Sequence, residues 1–105
     1  MLTVIFTERG QKLSLLLEGH AGYAEQGKDI VCASASILAY TLASIVESFG
    51  VDYTISLEEG DTVIECETND RETFIGLKNA YHYTLVGYAL LEQNYPQYVS
   101  LLDLT

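Results

Sequence analysis

From Ile30 to Val46 the chain carries no charged side chain. Asp29, just before this run, is a credible N-cap, and Gly50, just after it, is a typical C-terminal stop. The run therefore reads as one helix over about Val31 to Phe49. Ile37, Leu38, Leu42, Ile45, Val46 and Phe49 recur at helical spacing. The remaining positions hold Ala33, Ser34, Ala35, Ser36, Ala39, Ala43 and Ser44. A helix without a charged face is buried on more than one side. Its small residues allow another backbone to approach closely, so the expectation is packing between a sheet and a second helix, or across a dimer interface. Ser34, Ser36, Thr41 and Ser44 interrupt the run, which is shorter than the roughly 20 apolar residues of a membrane span.

The rest of the chain supplies that sheet and helix. Leu2, Val4 and Phe6 alternate with Thr3, Ile5 and Thr7, which is strand periodicity. A polar turn over Glu8 to Lys12 leads to a second alternation with Leu13, Leu15 and Leu17 on one face. A second hairpin follows the uncharged helix. Val51, Tyr53, Ile55 and Leu57 face inward on its first strand, Glu59-Gly60-Asp61 turns, and Ile64 and Cys66 face inward on its second. Asn69 then caps a second helix, with Glu72 as its capping-box partner. Phe74, Leu77, Tyr81, Thr84, Tyr88 and Leu91 form that helix's apolar stripe, and Pro96 ends or follows it. The tail from Val99 packs or adds to a sheet edge. The expected fold is one α+β domain over residues 1–105, in β-β-α-β-β-α order, with an antiparallel sheet and both helices on one face.

Charge narrows the partners. With 15 acidic and 5 basic residues the formal net charge is −10. Gripping a nucleic acid backbone needs the opposite sign, so no direct nucleic acid contact is expected. An acidic surface suits a basic protein partner, although its plainest role is solubility. Met1 to Phe6 lacks the basic start and long apolar run of a signal peptide, and the two cysteines read as free thiols of a cytoplasmic protein.

The chemistry concentrates between the first hairpin and the uncharged helix. Gly19 to Lys28 is a loop by composition, and Gly19, Gly22 and Gly27 give it the freedom of a flexible substrate loop. It begins with His20 and ends just before Cys32, each one of only two of its kind. A cysteine attacks as thiolate, and a helix N-terminus favours that anion through its unpaired N–H groups and dipole. The same N–H groups can stabilise an oxyanion. An imidazole within reach takes the thiol proton and later protonates a leaving amine. A plain buried thiol is the commoner use of a free cysteine. Asp29 either caps the helix or orients His20, as the third member of a triad does. Ser36 lies one turn beyond Cys32 on the same face. Cys66 reads as core and His82 as packing or surface. The cysteines and histidines match no standard zinc spacing, and no metal or cofactor is expected.

Gly19-His20-Ala21, followed by Gly27-Lys28-Asp29-Ile30-Val31-Cys32-Ala33, resembles the signature of the bacterial ribosomal-processing cysteine protease family called Prp. Length, element order and the start of the chain are also similar, so the resemblance spans essentially the whole sequence. Ser34 stands where many members have Ala or Gly. The resemblance implies a cysteine endopeptidase with Cys32 as nucleophile and His20 as general base, supported by Asp29 and Ser36. It also implies a substrate: the N-terminal extension of large-subunit ribosomal protein L-twenty-seven, cut beside a short hydrophobic, aromatic-containing stretch. A homodimer with a mobile loop over the site is implied as well. The alternatives are a non-catalytic acidic homodimeric module that binds a basic ribosomal protein, and a redox-sensing thiol protein using Cys32 and Cys66. The loop is expected to control assembly of the dyad, with Cys32 anchored on the helix.

Overall fold

The structure, a computed structural model, describes residues 1–105. Its elements are β1 (Leu2–Arg9), β2 (Lys12–Glu18), α1 (Ile30–Ser48), β3 (Asp52–Glu58), β4 (Asp61–Glu67), α2 (Arg71–Asn94) and β5 (Val99–Asp103). The expected β-β-α-β-β-α order is present, and the tail adds a fifth strand. The strands form one sheet in the order β3-β4-β2-β1-β5. Four of them pair antiparallel, whereas β5 joins β1 in parallel, so the sheet is mixed. A parallel neighbour needs a long crossover, and α2 provides it.

Both helices lie on one face of the sheet, which presents Leu2, Val4, Phe6, Leu13, Leu15, Leu17, Ile64, Cys66 and Val99 to the core. Each large apolar side chain fully withdrawn from water there contributes about 1.5–3 kcal/mol before chain entropy is counted. Two buried tyrosines on α2 tie the layers together. The Tyr81 hydroxyl donates to the Ile64 carbonyl of β4 at 2.8 Å, and the Tyr88 hydroxyl donates to the Ala35 carbonyl of α1 at 2.9 Å. Burial pushes both phenols far above their usual range, so they stay neutral donors.

The structure corrects three local expectations. The buried face of α1 is Val31, Ala35, Ala39, Leu42, Ala43 and Val46, whereas Ile37 is 61% exposed and Phe49 is 39% exposed. The alanines, not the largest apolar groups, face the core because the helix lies close to its neighbours. One side of this helix, which carries no charge before Glu47, therefore stays open, with Tyr40 also exposed. By length and composition alone α1 could cross a membrane, but its buried stripe is that of a core helix. On β3, Tyr53 and Leu57 are exposed, because an edge strand is only partly covered by α1. The N-cap of α2 is Asp70, not Asn69, and no capping box with Glu72 forms. Asp70 accepts from the Thr73 backbone N–H at 3.0 Å and the Thr73 hydroxyl at 2.6 Å. With Asp70 as cap, Thr73 takes the position three residues on that a box reserves for Glu or Gln.

Candidate active site

The residues from Gly19 to Asp29 connect β2 to α1 without regular structure. Gly19 starts this loop with φ +84, and a Cβ there would lie 2.7 Å from the Met1 carbonyl oxygen, so only glycine fits. The loop is pinned at its start by Ala21, which is buried, and at its middle by Tyr23. The Tyr23 ring packs edge-on against Tyr95 and Tyr98, with centroids 5.4 and 5.2 Å away.

Asp29 pins its end. Its Oδ1 accepts from the backbone N–H groups of Val31 at 3.0 Å and Cys32 at 2.9 Å, which is the N-cap of α1. Its Oδ2 accepts from the N–H groups of Tyr23 at 3.0 Å and Ala24 at 3.4 Å. One carboxylate thus fastens the loop to the helix start. Burial works against its charge, but the N–H groups of Cys32, Ala24 and Tyr23 prevail and hold its carboxyl below the usual range. No hydrogen bond joins Asp29 to His20, so in this conformation Asp29 is a cap and a loop latch.

Cys32, half-buried in the first turn of α1, receives the backbone N–H of Ala21 at its Sγ, 3.4 Å away. Burial pushes its thiol up, the Ala21 N–H opposes that, and the negative charges of Asp29 and Glu59 add to it. This reverses the expectation of a thiol made acidic by the helix N-terminus. The helix N–H groups that would favour the thiolate already donate to Asp29, whose carboxylate brings a like charge beside the sulfur. For the same reason the Val31 and Cys32 N–H groups are not free to form an oxyanion hole here.

His20 is exposed at the loop's start and makes no hydrogen bond to Cys32. Its imidazole lies instead against the β3–β4 turn. A Cβ built on Gly60 would come within 2.9 Å of its Nε2. The two side chains nonetheless share one cleft of about 680 Å³, a size suited to a short stretch of peptide. His20, Cys32, Asp29, Ser36, Gly19, Gly22 and Gly27 all line it. Ala35, Ala39 and Tyr40 of α1 and Leu57 of β3 give it an apolar wall, and Glu58, Glu59 and Gly60 form its rim. These wall and rim residues escape a reading of the sequence, because nothing local to the β3–β4 hairpin says that it faces the loop. The other cysteine and histidine stay outside: Cys66 is buried in the core, and exposed His82 meets Phe6 edge-on at 5.7 Å.

The arrangement pairs a thiol on a helix start with an imidazole across an open cleft, which suits nucleophilic attack on a peptide carbonyl. Known structures show the same architecture. Prp from S. aureus, an essential ribosomal processing protease solved with a covalently linked product peptide, is 25% identical. It superposes with a TM-score of 0.80, covering 98% of this chain and 99% of that one. SMU.848 from Streptococcus mutans is 27% identical, with a TM-score of 0.71 and coverage of 98% and 93%. The S. aureus protease with a substrate peptide, at 22% identity and a TM-score of 0.73, shares the fold over 98% and 99% of the two chains. Among curated proteins none matches this sequence. The family model described as cysteine protease Prp matches residues 1–100, and the chain accordingly belongs to that family and is a cysteine protease.

Proposed function

We propose that this cysteine protease removes the N-terminal extension of ribosomal protein L-twenty-seven, acting in the cytoplasm as a homodimer. Cys32 is the nucleophile and His20 the general base. The observation that carries the assignment is the shared cleft: of the chain's two cysteines and two histidines, one of each lines it, and the other two lie elsewhere. In the reaction His20 takes the thiol proton and the sulfur attacks the scissile carbonyl carbon. His20 then returns that proton to the departing amine as the C–N bond breaks. Water, deprotonated by the same imidazole, releases the acyl group from sulfur. Ser36 sits one turn after Cys32 at the cleft wall, placed to contact the peptide.

The substrate reading draws on the S. aureus relative, a ribosomal processing protease solved with substrate and product peptides. It also draws on the character of the cleft. The apolar wall suits a hydrophobic, aromatic-containing segment. At the rim end of the sheet Glu18, Asp61 and Glu58 stand opposite one another across β2, β4 and β3, beside Glu59. Like charges placed opposite in a sheet are destabilising, so this row serves the fold poorly and a basic partner well. Homodimer formation is supported by the apolar groups left open on the helices, including Ile37 on α1 and Tyr83, Val86 and Leu90 on α2.

A peptide spanning the extension junction tests this reading when incubated with wild type, Cys32→Ala and His20→Ala. Wild type cuts it once and both variants leave it intact while remaining folded. Cutting by Cys32→Ala would overturn the nucleophile. An intact junction peptide beside other peptides that are cut would overturn the substrate.

A further inference from the structure

The β3–β4 turn reaches the loop that carries His20 in two places. The Gly19 N–H donates to the Gly60 carbonyl at 3.0 Å, one step beyond the paired Glu18 and Asp61. The His20 imidazole then lies close against Gly60: a Cβ there would sit 2.9 Å from Nε2 and 3.1 Å from Cε1. The first of these is closer than real Cβ atoms come and the second is tight, so a side chain at this position displaces the ring. No hydrogen bond holds the imidazole, so this contact is what locates the ring. We propose that Gly60 is a positioning residue, a bare backbone seat in the β3–β4 turn that places the His20 ring in the cleft that Cys32 also lines. The inference rests on His20 being the general base.

The chain contains its own control. Gly10 occupies the β1–β2 turn with φ +61, as Gly60 occupies the β3–β4 turn with φ +79, and both conformations disfavour a side chain. A Cβ on Gly10 meets nothing within 4 Å, and Gly10 is outside the cleft. Alanine therefore strains the two turns alike, and only at position 60 does it also push the imidazole. Because that ring is exposed and can swing aside, the extra contact adds little to the strain on the fold.

The test measures Tm, kcat and KM for junction-peptide cleavage by wild type, Gly10→Ala, Gly60→Ala and His20→Ala. Gly60→Ala and Gly10→Ala should melt at similar temperatures. Sub-ångström displacement of a proton-transfer group should lower kcat of Gly60→Ala about tenfold relative to Gly10→Ala, with KM little changed. Equal kcat in the two alanine variants, with His20→Ala inactive, would overturn the seat and leave the base assignment standing. Activity retained by His20→Ala would overturn the base itself. A rise in KM alone would also overturn the seat, because Gly60 would then touch the peptide and not the base. If either alanine variant fails to fold, Gly60→Asn against Gly10→Asn makes the same comparison, since asparagine tolerates positive φ.

Discussion

Asp29→Asn separates the two things Asp29 does to the Cys32 thiol. Asparagine caps helices about as well as aspartate, so Oδ1 can go on accepting from Val31 and Cys32. What disappears is the negative charge beside the sulfur, together with the acceptor for the Tyr23 and Ala24 N–H groups. Two unit charges about 4 Å apart interact by about 1 kcal/mol in water and about 4 kcal/mol at the dielectric of a protein surface. The cleft is open, so the lower figure applies, and about 1 kcal/mol corresponds to roughly a fivefold larger thiolate population at neutral pH. A more acidic thiol is also a weaker nucleophile, with a Brønsted coefficient of about 0.4–0.5, which reduces the net gain to about twofold. The assay is disulfide exchange with dipyridyl disulfide, followed from pH 5 to pH 10. Only Cys32 reports, because Cys66 is 2% exposed. The midpoint of the pH–rate profile should move to lower pH in Asp29→Asn. Opening of the loop alone would raise the plateau and leave the midpoint in place. An unmoved or higher midpoint would refute the claim that Asp29 restrains the thiol. Asp29→Asn should also melt earlier, because two loop N–H groups lose their acceptor. The sign of the pH dependence follows from the low carboxyl pKa of the folded protein. The contribution of Asp29 is complete above the unfolded value near about 3.9 and disappears as pH falls through the folded value. The Tm difference between wild type and variant should therefore close in acid.

Asp70 behaves the same way at the start of α2: the Thr73 hydroxyl and backbone N–H hold its carboxyl low. Asp70→Ala should lower Tm at pH 7, by an amount that shrinks as pH falls below about 4, while cleavage by the folded fraction is unchanged. Tyr88→Phe removes the buried donor to the Ala35 carbonyl. It should cost about 1 kcal/mol in urea unfolding with an unchanged m-value, since the hydroxyl links α2 to the helix that carries Cys32 without touching the cleft.

The elements legible in the sequence are those whose signals are local. Leu13, Leu15 and Leu17 on one strand face, and Leu77, Tyr81, Thr84, Tyr88 and Leu91 on one helix face, are written in their spacing, and all are buried. What is not local is less legible. Val99 to Asp103 is too short and too plain to declare a partner, and it becomes a strand only because α2 returns it beside β1. The inward row of β3 alternates well, yet Tyr53 and Leu57 stay exposed, because alternation identifies a face but not whether the strand lies at an edge. In α1 the small residues Ala35, Ala39 and Ala43 are legible as a surface for close approach, but not that they, rather than Ile37 and Phe49, form the core face. Tight packing selects small side chains, and hydrophobicity alone ranks those low.

The site shows the same division more sharply. Scarce residue types and a helix start single out His20 and Cys32, the family resemblance adds Asp29 and Ser36, and one cleft is lined by all four. Their restraints are tertiary. Capping statistics treat Asp29 as a helix feature and the helix dipole as a stabiliser of the thiolate, but these two effects compete for the same N–H groups. Asp29 takes the Val31 and Cys32 donors, brings charge to the sulfur, and uses its second oxygen to hold Tyr23 and Ala24. A thiol held in this way is poorly ionised, and His20 rests against Gly60 without bonding it. In the substrate-free chain the Cys32 thiol and the His20 imidazole line one cleft with no hydrogen bond between them. A single carboxylate joins loop position to thiol acidity, so a movement that breaks its hold on Tyr23 and Ala24 also changes the charge environment of Cys32.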